Sequence, residues 1–232
     1  MIRFENVSFH YGGEYGTGEG VDSLNFEIKE GEFIVLCGRS GCGKTTVTRL
    51  INGLAPNFYQ GELEGKVLVK EVCVSEAPLS LTSRYVGSVF QNPKSQFFNV
   101  DSTGELVFGC ENQNLEREAI GKRLEKTKRD MQLEALMDRN IFELSGGEKQ
   151  KVSFARCLAQ NAKLLLLDEP TAALDAESRS CVIEILHSLS VSEIPTIILV
   201  THDDSLLRMR GWDIFHMKSY DTESELKGNA DG

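Results

Sequence analysis

Phe33-Ile34-Val35-Leu36-Cys37-Gly38-Arg39-Ser40-Gly41-Cys42-Gly43-Lys44-Thr45 opens on five consecutive apolar residues and closes on a glycine-spaced Lys-Thr pair. An unbroken apolar run bounded by turn residues reads as a strand buried on both faces, the kind found in parallel sheets. Lys44 to Ile51 suit a helix, and Gly53 ends it. A GxxxxGK[ST] loop between such a strand and such a helix binds phosphate: backbone N–H groups turn inward on the oxygens, and the helix N-terminus adds its positive dipole end. Lys44 would neutralise the β and γ charges there and Thr45 would offer a hydroxyl to Mg2+. The candidate phosphate ligands are Gly38, Arg39, Ser40, Gly41, Cys42, Gly43, Lys44, Thr45 and Thr46.

Leu164 to Leu167 and Thr196 to Val200 repeat the buried-strand pattern, with helical stretches between. Before the phosphate loop, Leu24, Phe26 and Ile28 alternate with polar residues as a half-buried strand does, and Glu30-Gly31 turns the chain into the Phe33 run. Val67 to Val69, set among glycines, suggests a short antiparallel pair. From Glu116 to Arg139 charges of both signs surround Ile120, Leu124, Met131 and Leu136, which reads as a helix with Gly121 as its weak point. A second helical run follows Ser145 through Gln160, with Val152, Ala155 and Ala159 on one side. Strands alternating with helices imply an α/β fold whose mostly parallel sheet binds ligands at the carboxyl ends of its strands, and every motif is expected at such an end.

Asp168-Glu169 at the tip of the Leu164 strand complements the phosphate loop. Asp168 is the candidate Mg2+ residue, and Glu169, pointing differently, the general base that orients and deprotonates water. Leu144-Ser145-Gly146-Gly147-Glu148 reads as a second phosphate-binding helix start, with Ser145 and Glu148 also spaced as a capping box. This stretch resembles the signature motif of ABC ATPases, and the remaining motifs stand in that family's order. Tyr11 matches the aromatic that stacks on adenine, and Gln91 the Q-loop glutamine that reaches Mg2+ and the attacking water. Asp175 in Ala173-Leu174-Asp175 matches the D-loop, and His202 in Thr201-His202-Asp203 the switch histidine at the γ-phosphate.

The resemblance implies a P-loop (RecA-like) core from about 1–90 and 162–232 with a small antiparallel β subdomain, and a helical subdomain from about 91–161, together one domain over 1–232. Its ligands would be ATP and Mg2+. Its partner would be a second ABC ATPase subunit, identical or paralogous, whose Ser145, Gly146, Gly147 and Glu148 equivalents complete this chain's site head to tail. Gln91 to Phe98 and Glu105 to Asn112 look like the energy-coupling-factor (ECF) ATPases, which implies a transmembrane coupling subunit holding a separate substrate-binding membrane subunit.

A net charge of -10 over 232 residues argues against a nucleic-acid surface. The longest apolar runs fall far short of the ~20 residues needed to cross a bilayer and no leader is evident, so the expectation is a cytoplasmic protein, peripheral on the inner face of the membrane. The six cysteines form no CxxC pair and read as reduced thiols, with Cys42 a small residue filling a small space. P-loop kinases and GTPases lack the Leu144 to Glu148 motif, and no NKxD pattern is present. The alternative is a soluble ABC ATPase of DNA repair or translation, a group that typically adds coiled-coil inserts or a second cassette.

Overall fold

The computed structural model describes residues 1–12, 19–91, 96–172, 174–189, 196–202, 206 and 212–217. Asn92 to Ser95, Ala173, Asp203 and most of the Gly12 to Gly20 loop lie outside the described residues.

The strands are β1 (Ile2–Tyr11), β2 (Gly20–Ile28), β3 (Phe33–Cys37), β4 (Gly61–Val69), β5 (Val72–Cys73), β6 (Val86–Val89), β7 (Leu164–Asp168), β8 (Thr196–Val200) and β9 (Asp213–His216). Between them run α1 (Lys44–Ile51), the short turns α2 (Leu54–Asn57) and α3 (Leu79–Thr82), then α4 (Ser102–Asn112), α5 (Arg117–Asp130), α6 (Gly146–Ala159) and α7 (Ala176–Leu189).

The continuous apolar runs all enter one five-stranded sheet of order β6-β7-β8-β3-β9. Its pairings are parallel throughout, with Leu36 opposite Val200 and Leu167 opposite Leu199. Leu164 to Leu167 and Ile197 to Val200 are at most 2% exposed, which is why neither strand alternates. The alternating segment Leu24 to Ile28 falls in a separate antiparallel sheet, β2-β1-β4-β5, where Phe4 faces Phe26 and their rings stack at 4.3 Å. The fold is therefore α/β, with a parallel sheet and an antiparallel sheet as expected. One core cluster joins the faces of both sheets through Ile2, Phe9, Leu36, Leu50 and Leu166. The other holds α6 and α7 against the parallel sheet through Phe154, Ala155, Leu165 and Leu186.

The charged middle helix is shorter than its periodicity suggests. α5 ends at Asp130, Gln132 takes a left-handed φ of 49°, and a single 3-10 turn spans Glu134–Leu136. Met131 and Leu133 are both buried, and two residues apart on an α-helix they would face opposite ways, so the helix stops to bury both. Gly121 does not break it, being in open space on the helix exterior.

α4 is capped by Asp101, whose Oδ1 accepts the Gly104 N–H at 2.7 Å. Its Glu105 is fully buried and accepts from Arg156 of α6 at 2.8 Å and from the backbone N–H of Phe98 and Asn99 at 3.0 and 3.1 Å. Arg156 also donates to the Gln96 carbonyl at 2.7 Å, so residues 96–99 are fastened to the same helix that begins at Gly146.

Candidate functional site

The carboxyl ends of β3, β7 and β8 open into a cleft of about 790 Å3 lined by Lys44, Thr45, Thr46, Asp168, Glu169 and His202, with Ser40, Gly41 and Gly43 of the loop, Gln91 after β6, and Tyr11 at the end of β1. The loop curls because its glycines permit it. Gly43 caps α1 in a left-handed conformation, φ 93°, and a Cβ there would lie 2.4 Å from Val21 Cγ1. Lys44 is buried and its Nζ donates to the Gly38 and Arg39 carbonyls at 2.8 and 2.9 Å, which holds the ammonium within the loop. Cys42 is buried beside it, Sγ 3.7 Å from Nζ.

Asp168 ends β7, and burial raises its carboxyl above the usual range against the pull of Arg49 and Lys44. A partly desolvated carboxylate beside a hydroxyl-bearing helix start suits a divalent cation, and the donor set of Thr45, Asp168 and Gln91 is the hard oxygen set Mg2+ prefers. Glu169, one residue on, takes a φ of 48°, a region that costs a residue with a side chain free energy. Its carboxylate lies against His202. Its Oε2 accepts the His202 N–H at 3.4 Å, while His202 Nε2 stands 3.6 Å from Oε1. Oε1 is buried with no hydrogen-bond partner among the described residues, so its acceptor capacity is unspent. Burial raises this carboxyl too, opposed by the bond from His202 and aided by Asp168.

Tyr11 packs edge-on against Phe9 with ring centroids 5.0 Å apart and donates to Thr46 Oγ1 at 3.2 Å. Arg49 donates to the Tyr11 hydroxyl at 3.1 Å and lies 3.8 Å from the Tyr59 ring centroid. Arg49, Glu19 and Gly20 line the cleft and were missed in the sequence. Arg49 could have been found, because it follows Thr45 and Thr46 by four and three residues and so shares their helix face.

Ser145 to Glu148 and Asp175 do not line this cleft. Ser145 is the N-cap of α6, reached from a loop in the helical region rather than from a strand, and Tyr11 ends an antiparallel strand. The expectation that every motif sits at a parallel strand's carboxyl end fails at these two, because the sheet carries only part of the site. The capping box is present: Ser145 Oγ accepts from the Glu148 N–H at 3.2 Å, and Glu148 Oε2 accepts from the Ser145 N–H at 2.7 Å, which holds the Glu148 carboxyl below its usual range. Asp175 Oδ1 accepts the Ser178 N–H at 2.8 Å at the start of α7.

Residues 21–172 match the family described as ABC transporter. The chain belongs to that family. The cassette is 43% identical over 202 residues to a protein of Treponema denticola named as an ABC transporter ATP-binding protein, covering 87% of this chain and 41% of that one. It is 39% identical to one so named from Pyrococcus abyssi, covering 89% and 73%. The chain thus spans about two-fifths of the length of the first of these relatives. Among solved structures, cbiO1 of Clostridium perfringens, described as part of the ABC transporter complex cbiONQ, superposes with a TM-score of 0.75 at 28% identity over 94% of this chain and 84% of that one. The cassette MJ0796, in a dimeric post-hydrolysis state bound to ADP and phosphate, superposes with 0.76 at 27% over 98% and 100%. This chain is accordingly an ABC ATPase domain, with ATP and Mg2+ as its ligands. None of these relatives supports the DNA-repair or translation alternative. Among the described residues no helix is long and apolar enough to cross a membrane.

Proposed function

We propose that this chain is the ATP-hydrolysing subunit of an ABC importer of ECF type, peripheral on the cytoplasmic face of the membrane, powering uptake of a vitamin or metal ion. The observation that carries the hydrolytic part is the convergence of Lys44, Thr45, Asp168, Glu169 and His202 from three parallel strands on one cleft. In this reading Gly38 to Thr46 grip the phosphates and Tyr11 stacks on adenine. Bound Mg2+ supplies charge neutralisation on the phosphate oxygens, held by Thr45, Asp168 and Gln91. Glu169 takes the proton of the attacking water at Oε1, and His202 steadies the γ-phosphate and the carboxylate.

The signature residues Ser145, Gly146, Gly147 and Glu148 stand outside the cleft of their own chain, which supports their service to a second cassette, with Asp175 at the same junction. That cassette is a second copy or a paralogue. Residues 1–90 and 162–232 form the nucleotide core and 91–161 the helical arm. The likeness to cbiO1 and the Gln91 to Phe98 segment support an ECF-type assembly with a transmembrane coupling subunit and a substrate-binding membrane subunit.

The test is ATP turnover by the purified chain with Mg2+, followed by affinity capture from detergent-solubilised membranes. Capture of integral membrane proteins supports the transporter reading. Turnover without any membrane partner in native membranes would overturn it.

A further inference from the structure

The signature turn is already occupied within its own chain. Ser178, 8% exposed on α7, accepts the Gly147 N–H on Oγ at 3.2 Å. A Cβ on Gly147 would lie 2.6 Å from that oxygen and 2.9 Å from the Ser178 Cα, so the two helices meet here with no room for a side chain. The Glu148 N–H goes to Ser145 Oγ and the Lys149 N–H to the Ser145 carbonyl. Ser145 Oγ can still donate its proton, but the Gly147 amide cannot reach a phosphate without leaving Ser178.

Ser178 is in turn held by the D-loop, its own N–H bonded to Asp175, and Leu174 Cδ2 lies 3.1 Å from where a Gly146 Cβ would be. Ser178 lies three positions after Asp175, which lies six after Glu169. One short segment therefore joins the carboxylate of this chain's cleft to the amide that this chain lends elsewhere.

We propose that Ser178 is a positioning residue that competes with the incoming γ-phosphate for the Gly147 amide and so sets the ATP concentration at which two cassettes close. The inference rests on the two-cassette reading above. Without the hydroxyl, the buried amide has no acceptor until phosphate arrives, which weakens the open state and favours the closed one. Ser178→Ala should therefore lower thermal stability and yet lower the ATP midpoint of closure, whereas plain packing damage would lower stability and raise the midpoint.

The experiment measures ATP-driven association by light scattering in a Glu169→Gln background, on the full chain together with any cassette that co-purifies with it. Ser178→Ala is expected to reduce the midpoint about fivefold, the ratio corresponding to one net hydrogen bond of ~1 kcal/mol. Ser178→Thr, which keeps the hydroxyl, should stay at the parent value. A midpoint that is unchanged or raised in Ser178→Ala, while the parent associates normally, overturns the role of Ser178 alone. A parent that binds ATP and never associates overturns the two-cassette reading, and this inference with it.

Discussion

At Glu169 the chemistry and the backbone ask for different things. Its carboxylate lies against His202 while its φ is left-handed, and a side-chain-bearing residue held at such a φ costs on the order of 1 kcal/mol or more. Glu169→Gln keeps shape and turn while removing the base, so turnover is expected to fall by about 100-fold or more with nucleotide binding retained, read by phosphate release and by equilibrium binding. The same side chain shapes the pH response. A carboxyl raised in the folded state binds its proton more tightly folded than unfolded, so the contribution of Glu169 to stability is present below the ordinary carboxylate range and is lost as pH rises through the raised value. Melting without nucleotide or Mg2+ should show a decline of that sign on the way to neutral pH, and Glu169→Gln should make it shallower, with Asp168, raised by burial as well, supplying the remainder. Asp168-Glu169 was legible as a pair of carboxylates at the tip of a buried strand, which the structure places in the cleft, and the metal and base roles proposed for them rest on residue type and position. The positive φ was not legible, since nothing in a Glu-Pro step announces it.

On the scale of elements, the loop between β3 and α1 was plain in the sequence because its glycine spacing serves both backbone and ligand. Gly43→Ala would force a Cβ against Val21 in a left-handed turn, and a loss of about 2 kcal/mol in stability is expected, with nucleotide binding abolished; denaturant melts and binding isotherms read the two effects. The α6 N-terminus was legible as a capping box, and Ser145→Ala should cost about 1 kcal/mol of stability besides any effect on turnover. The extent of α5 was not legible. Its charged periodicity runs on past Asp130, and only the tertiary demand to bury Met131 and Leu133 together cuts it short. The pairing of α6 with α7 through Gly147 and Ser178 was hidden for a related reason: close approach of two helices leaves no mark beyond a glycine already explained by another role.

For the molecule as a whole, the parallel sheet could be read from its apolar runs and the separate antiparallel sheet was expected from the family resemblance, while the sheet that each early strand joins was less plain, because Leu24 to Ile28 and Phe33 to Cys37 follow one another yet part company after Gly31. The membrane partners are argued from family likeness and the segment after Gln91, and membrane capture decides them. The Glu105–Arg156 pair carries a separate consequence. Glu105 accepts the amides of Phe98 and Asn99 and Arg156 lies on α6, so these amides and those of the helix should open as one cooperative unit. In hydrogen–deuterium exchange the two stretches are expected to gain deuterium at a common rate, and Glu105→Gln should let 96–99 exchange early while the helix keeps its protection. A pull applied at Phe98, three-quarters exposed on the surface, would then be felt at Gly146 without any bond to it.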